Sequence, residues 1–143
     1  YQLGEMKLTV LFPDSLIADK MENINNASIV FRLDYYNHSF LFTGDAEIQA
    51  ERLVTNLDNL LQVDVVKVGH HGSSTSSIIS MVKHVSPKYA IISLGQNNRY
   101  GHPSEKIVQR WVDSGAEVFR TDESGAVIIG VDGKGMSINP MIP

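Results

Sequence analysis

The sequence has 143 residues, 43% of them hydrophobic and 20% charged, which is the composition of an ordinary globular domain. The formal charge of −4 argues against a general nucleic-acid-binding surface, although an enzyme that meets phosphate through metal ions needs little basic surface. Cysteine is absent, which excludes disulfides and thiolate metal sites, so any metal must be bound by His, Asp or Glu.

The first third of the chain is rich in predicted β-strand. It opens at Tyr1 rather than at Met, and a strand is already expected at about 7–12, which suggests a piece of a larger protein. Further strands are predicted at about 28–34 and at Phe40–Thr43, with one polar loop from Asp19 to Asn26 between the first two. No apolar run is long enough for a membrane helix, and no signal peptide is recognisable.

After Gly44, helices and strands alternate. Apolar residues at helical spacing predict one helix from about 46 to 61, a second capped by Thr75 or Ser76, and a third that begins at Pro103 and stops at Gly115. Strands are predicted at 64–68, 89–94, 117–120, 126–131 and 135–138. This alternation predicts a single α/β domain over residues 1–143, with a mixed sheet covered by helices.

Three polar loops each follow the end of a predicted strand. They are Thr43–Asp45, Gly69–Ser73 and Gly95–His102. Loops beyond the carboxyl ends of parallel strands form the binding edge of an α/β sheet, so we expect their chemistry-bearing side chains to meet on one rim. These side chains belong to Asp45, His70, His71 and His102.

Each of these residues also has a purely structural interpretation. Asp45 or His102 could be the N-cap of a following helix. His70 and His71 leave a strand side by side, where neighbouring side chains point in opposite directions, so only one of them need face the rim. The hydroxyls that follow them could cap a helix or donate to a phosphate at its N-terminus.

The four side chains together predict a metal site. One carboxylate and up to three imidazoles suit zinc or manganese. Two ions about 3.5–4 Å apart suit the hydrolysis of a phosphoester, but they need more ligands than the sequence shows. Either the site holds one ion or further ligands lie upstream.

The motifs resemble a known family. Phe42–Asp45, Lys67–Ser73 and Tyr100–Pro103, in this order, resemble the metallo-β-lactamase superfamily and, more closely, the hydrolase domain of ComEC-type competence proteins, which take up DNA. The resemblance runs from about Leu8 to Ile129. The segments Asn25–Leu33 and Phe119–Asp122 match the same pattern. Related phosphodiesterases, phosphorylcholine esterases among them, share these motifs.

The family's upstream metal motif, a His-x-His/Asp-x-Asp-His run, is absent here, as is the further His that normally precedes the bridging Asp. The resemblance therefore implies the C-terminal portion of an αββα sandwich, whose N-terminal part would supply most ligands. It also implies a divalent metal, Zn or Mn, with two ions in the complete domain. Its implied partners are a phosphodiester such as DNA, the N-terminal part of the domain and membrane-embedded parts of the same protein, in a membrane-attached or extracytoplasmic setting in bacteria.

The resemblance also implies roles for single residues. Asp45 would be the metal-bridging carboxylate and His102 the late metal ligand. His70, slightly favoured over His71, would stabilise the transition state at the scissile phosphate or protonate the leaving oxygen. Lys67 would either neutralise phosphate charge or be simply solvated. Ser73 and Ser74 are the candidate substrate-binding hydroxyls.

The leading hypothesis is thus a metal-dependent phosphodiesterase or nuclease domain, weakly active or inactive as this chain alone. The alternatives are a non-catalytic truncated scaffold of the same fold and a small-molecule phosphodiesterase, such as one that acts on phosphorylcholine groups.

Overall fold

The computed structural model describes residues 1–14, 21 and 23–142. Its strands are β1 (Gln2–Leu3), β2 (Met6–Phe12), β3 (Val30–Tyr35), β4 (His38–Phe42), β5 (Val65–Lys67), β6 (Tyr89–Ile92), β7 (Glu117–Arg120), β8 (Val127–Asp132) and β9 (Gly135–Pro140). Its helices are α1 (Ile48–Val54), α2 (Ile79–Val85), α3 (Glu105–Asp113) and the single turn α4 (Thr121–Ser124), with 3-10 turns at Ile24–Ala27, Thr55–Leu60 and Gly69–Gly72. Three residues of the predicted polar loop, 19, 20 and 22, lie outside the described residues.

Seven strands form one mixed sheet, and their order in space, β1 to β7, is their order in the chain. Neighbours from β1 to β4 are antiparallel, whereas β4, β5, β6 and β7 are parallel to one another. The connections change accordingly, because a two-residue turn joins β3 to β4 while each later connection contains a helix or helical turn. The carboxyl ends of four strands therefore meet at one edge, as the α/β pattern predicts.

The helices cover one face of this sheet. Leu41, Val66 and Ala90 are neighbours in the strand register, share that face and are essentially inaccessible to solvent. Apolar side chains of the helices pack over them, among them Ala50, Val54, Val82, Val85, Ile107 and Trp111. The predicted α/β class, with a mixed sheet and covering helices, is confirmed. None of the described helices is long and apolar enough to cross a bilayer.

The opposite face of the sheet is also apolar. Phe31 pairs with Phe42 in the register, and their rings stack with centroids 4.7 Å apart. The hairpin of β8 and β9 lies on this side, since its Ile129 and Val131 line a cavity of about 410 Å³ together with Phe42 and neighbouring sheet residues. Apolar side chains thus cover both faces of the large sheet, which is the pattern of a layered sandwich.

The first predicted helix is too long. Regular helix ends at Val54, and a 3-10 turn continues to Leu60 with a non-helical backbone at Leu57 (φ −98°, ψ 31°). The hydroxyl of Thr55 donates to the Arg52 carbonyl at 2.9 Å, a local bond that competes with helix propagation. The kink changes which side chains face inward, so Leu61 is buried whereas Leu57 is 37% exposed.

The predicted caps of the second and third helices are wrong. The N-cap of α2 is Ile78 rather than Thr75 or Ser76, because Ser77 takes a left-handed backbone (φ 56°) that turns the chain before the helix starts. The N-cap of α3 is Ser104, so Pro103 precedes the helix instead of opening it. Gly115 follows that helix with φ 91°, and its predicted role as the stop is confirmed.

Candidate functional site

The three polar loops follow β4, β5 and β6, three adjacent parallel strands, and they lie side by side. Backbone hydrogen bonds join them: the His70 amide donates to the Gly44 carbonyl (3.1 Å), and the Ser104 amide donates to the Gly72 carbonyl (2.9 Å). The expected convergence of their side chains on one rim is therefore observed. The loops are braced against one another rather than free to move separately.

The turn Gly69–Gly72 has a left-handed backbone at three consecutive residues, His70 (φ 46°), His71 (φ 52°) and Gly72 (φ 75°). Left-handed geometry costs roughly 1–2 kcal/mol at a residue with a side chain, and such strain concentrates at functional sites. Because the backbone here is not extended, the rule that neighbouring strand side chains point to opposite faces does not apply. Each imidazole has its own carboxylate partner, Glu47 for His70 and Asp45 for His71.

Gly72 is required where it stands. A Cβ on this residue would lie 2.7 Å from the Cβ of Pro103 and 3.3 Å from Ile92. The glycine therefore lets the loop after β5 pack directly against the loop after β6. This contact places His71 beside the residues that precede Pro103.

Asp45 and His71 form the most informative pair of the site. The Nδ1 of His71 lies 2.6 Å from the Ser93 carbonyl oxygen, and because a carbonyl only accepts, Nδ1 carries the proton. In the neutral ring, Nε2 then presents a lone pair 3.4 Å from Oδ1 of Asp45, another acceptor. Two facing acceptors repel each other unless water or a positive charge lies near them, and the Nζ of Lys67 lies 3.9 Å from the same carboxylate oxygen.

A divalent metal fits this pair. Two ligands about 2.1 Å from one tetrahedral zinc lie roughly 3.4 Å apart, which matches the observed Asp45–His71 separation. The Nδ1 bond of His71 to a backbone carbonyl is the arrangement that orients metal-binding imidazoles in proteins generally. Within residues 1–14, 21 and 23–142, however, no group of three or more His, Asp or Glu is arranged to hold an ion. The pair of Asp45 and His71 is one ligand short of the three protein ligands of a typical catalytic zinc site.

Lys67 also faces Asp45. Its Nζ donates to the Gly44 carbonyl at 2.9 Å and lies 3.9 Å from Oδ1 of Asp45. Burial lowers the pKa of Lys67, and the neighbouring Asp45 opposes that shift. The lysine is thus not simply solvated, because its charge is directed into the rim. Its role toward phosphate stays a prediction.

His70 lies in a separate polar cluster that the sequence did not reveal. Its Nδ1 is 3.2 Å from Oε1 of Glu47, close enough for an ion pair although the ring N–H is not aligned for a hydrogen bond. The same Glu47 oxygen accepts hydrogen bonds from Asn25 (2.8 Å) and Asn23 (3.2 Å). Glu47 follows Asp45 by two residues in the same loop, which was the one signal that could have indicated it.

His102 completes the rim from the third loop. Its ring centroid lies 5.6 Å from that of His70. Burial, followed by His70 and His71, lowers the pKa of His102, with Asp45 acting in the opposite direction. The N-cap interpretations of Asp45 and His102 are both wrong, since the caps of α1 and α3 are Glu47 and Ser104.

The two candidate substrate hydroxyls differ in exposure. Ser73 is buried, and its hydroxyl shares a hydrogen bond with that of Thr75 at 3.0 Å, whereas Ser74 is exposed. Ser76 is buried as well and donates to the carbonyls of Gly69 and Ser73, which fixes the turn. Substrate contact by Ser73 and Ser74 stays a prediction.

Comparison with known proteins agrees with this geometry. The family model described as the metallo-beta-lactamase superfamily matches residues 21–96, just over half of the chain. The chain is 37% identical to ComE operon protein 3 of Bacillus subtilis over 88% of its own length and 16% of the relative's. It is 39% identical to competence protein ComA of Neisseria gonorrhoeae, covering 75% of the chain and 16% of the relative. Recombination protein 2 of Haemophilus influenzae is 37% identical, with 72% and 13% covered.

The chain therefore spans about one sixth of the length of the first of these relatives. The family match includes Asp45, His70 and His71, and the similarity to competence proteins extends over most of the remaining sequence. The predicted resemblance is confirmed: this chain belongs to the metallo-β-lactamase superfamily, on the branch that contains the ComEC-type competence proteins.

Proposed function

We propose that this chain forms one part of a metal-dependent phosphodiester hydrolase that cleaves DNA, within a longer competence-type protein. The observation that carries the proposal is the facing pair of Asp45 Oδ1 and His71 Nε2 at the carboxyl edge of the sheet. The similarity to proteins named for competence and recombination supports DNA as the substrate. A bound divalent ion would supply Lewis-acid stabilisation of phosphate charge and would acidify a water molecule.

The residues of this chain have distinct tasks in the proposed reaction. Asp45 and His71 hold the metal. His102, on the third loop, joins the ligand set in the complete domain, since the described residues as they stand form no group of three or more ligands. His70 stands beside them as the acid or transition-state donor at the scissile phosphate, and Glu47 orients its ring by lying 3.2 Å from Nδ1. Lys67 keeps positive charge beside Asp45 and is placed to attract an anionic substrate.

The remaining metal ligands come, in this proposal, from the N-terminal part of the domain. Two observations support it: the chain covers only 16% of the first relative, and its described residues include no group of three or more ligands. We further propose that the complete protein carries membrane-embedded parts in a bacterial envelope, so that the hydrolase acts on DNA during uptake.

The experiment compares metal content and hydrolysis in the full-length protein and in the 143-residue chain. Zinc and manganese are titrated, and bis(p-nitrophenyl) phosphate and a DNA oligonucleotide serve as substrates. We expect tight binding and turnover only in the full-length protein, with both lost in Asp45→Ala and His71→Ala. The exposed Asp113, changed to Asn, is the matched control and should leave both unchanged.

A non-catalytic scaffold is the second candidate, favoured by the lack of a three-ligand group within the described residues. It predicts that the full-length protein also binds no divalent metal and cleaves neither substrate. Robust hydrolysis by the isolated chain would instead show that its own residues complete the site.

A further inference from the structure

A small cavity opens beside the metal-binding pair. It has a volume of about 190 Å³ and is lined by His71, Leu94, Gly95, Asn98, Tyr100 and His102. Apart from His71, its lining residues belong to the loop between β6 and α3. The proposed hydrolysis uses only His71 and His102 among them.

Tyr100 forms an aromatic wall of this cavity. Its side chain is 67% exposed, although a large aromatic ring is usually more buried. The ring lies nearly parallel to that of His102, with an interplanar angle of 19° and centroids 6.0 Å apart. Since His102 lies nearly parallel to this ring and Arg99 lies over it, a nucleobase would stack on the ring surface that these two neighbours leave exposed.

The loop holds this ring in place. The Oδ1 of Asn98 accepts from the amides of Tyr100 (3.2 Å) and His102 (3.0 Å), and its Nδ2 donates to the His102 carbonyl (2.7 Å). One asparagine side chain thus closes the turn that carries both rings. The platform is therefore ordered before any ligand arrives, which reduces the entropy lost on binding.

Arg99 adds a charge to the platform. Its guanidinium carbon lies 5.1 Å from the Tyr100 ring centroid, and its Nη2 donates to the tyrosine hydroxyl at 3.0 Å. An aromatic ring already paired with a cation is a poor receptor for a quaternary ammonium group, since the second cation is repelled. The same charge attracts the next phosphate of a polynucleotide.

We propose that Tyr100, supported by Arg99, stacks on the base adjacent to the scissile phosphate and thereby selects nucleotide esters over choline esters. This proposal rests on the proposed phosphodiester hydrolase. It assigns the cavity beside His71 to the base, and it makes Tyr100 a determinant of specificity rather than of the chemical step.

The test measures kcat/KM in the full-length protein for two matched esters, thymidine 5′-(p-nitrophenyl phosphate) and methyl p-nitrophenyl phosphate. The leaving group is the same, so the ratio of the two values reports the nucleoside, and the change in this ratio on substitution of Tyr100 reports its contact with the base. We expect Tyr100→Ala to lower this ratio about 10-fold, the worth of one stacked base, and Tyr100→Phe to preserve it. Tyr1→Ala, which changes a 93% exposed ring elsewhere, is the control and should preserve the ratio. An unchanged ratio in Tyr100→Ala overturns the proposal.

A second arm uses p-nitrophenyl phosphorylcholine as the substrate. Arg99→Gln should raise the choline ester's kcat/KM relative to that of the thymidine ester, and a fall or no change would contradict the role of Arg99. Binding is measured separately by NMR on the 143-residue chain, where thymidine 5′-monophosphate should shift the Tyr100 ring protons more than phosphorylcholine does. Equal shifts of the Tyr100 ring protons with the two ligands would contradict the stacking of a base on Tyr100. Failure of the wild-type protein to cleave any of the three esters would instead overturn the proposed function.

Discussion

The carboxylate of Glu51 accepts a hydrogen bond from the Ser77 amide at 2.6 Å, and its second oxygen accepts from the Ile78 amide at 2.7 Å. A 2% exposed acid in α1 thereby binds the segment that enters α2. Arg110 of α3 donates to the carbonyl of the same Ser77, and Trp111 donates to its hydroxyl at 3.1 Å. One seryl residue therefore joins three helices beneath the rim.

The stability of the chain should depend on pH through Glu51. Burial raises its pKa to about 7 from 4.5, while the two amides and Arg110 oppose that shift. Because the folded state keeps a proton that the unfolded state loses, the free energy of unfolding should fall as pH rises from about 4.5 to about 7. The contribution is on the order of 3 kcal/mol, since one pKa unit corresponds to about 1.4 kcal/mol.

Urea unfolding at several pH values will check this. The Glu51→Gln variant should lack that decline, whereas Glu123→Gln, which changes a largely exposed acid, should retain it. A Glu51→Gln profile parallel to that of the wild type would refute the assignment of the slope to Glu51.

Gly72→Ala should destabilise the fold more than Gly101→Ala. Both glycines have positive φ, 75° and 67°, but only the Cβ at position 72 meets a neighbour, at 2.7 Å from Pro103. Position 101 has nothing within 4 Å of the added Cβ. We expect a loss of about 1 kcal/mol at position 101 and about 2–4 kcal/mol at position 72, measured by denaturant unfolding. Equal losses would mean that the contact with Pro103 relaxes freely.

Asn26→Ala should weaken α1. The Oδ1 of Asn26, a residue only 5% exposed, accepts from the amides of Glu47 (3.2 Å) and Ala50 (3.0 Å). It therefore caps the helix from a distant loop, while the N-cap residue itself forms no side-chain cap bond. Leaving two amides without an acceptor should cost about 1–3 kcal/mol in the free energy of unfolding. The exposed Asn56, changed to Ala, is the control and should cost far less.

His70→Ala should separate proton transfer from metal binding. In the full-length protein we expect near-normal metal content with turnover reduced on the order of 10²–10⁴-fold, the usual worth of one positioned acid or donor. An ester with a leaving group of low pKa, such as p-nitrophenolate, should recover part of the loss, which would not occur in His102→Ala or His71→Ala. Loss of metal from His70→Ala would reassign this histidine to the ligand set.

The sequence predicted the sheet and its loop-bearing edge well, because both follow from local patterns. Apolar runs fixed the strands, and the glycine-rich loops after them marked the rim. It failed on the termini of α1 and α2, where the acceptors come from elsewhere in the chain: Asn26 reaches α1, and Glu51 reaches the start of α2. Capping by a residue distant in the chain leaves no capping motif in the sequence around the start of the helix.

The site was predicted less completely for a related reason. Spacing showed that Asp45 and the histidines would converge, but not which atoms would face each other. The choice between ligand and proton donor depends on the left-handed turn at His70 and His71, and on the Ser93 carbonyl that fixes one ring. Glu47 was overlooked, and Asn25 was noted only as the start of a matching segment, because each looks like an ordinary polar loop residue.

The order of the sheet has a consequence for how such a protein can be divided. Since β4, β5 and β6 are adjacent both in space and in sequence, every rim residue from Asp45 to His102 lies on one uninterrupted segment. Hydrogen bonds from His70 to Gly44 and from Ser104 to Gly72, at the two ends of that segment, set its loop geometry. The segment is therefore suited to split-protein complementation, in which two separately expressed pieces of a protein reassemble. The piece that contains this segment carries the rim side chains already arranged.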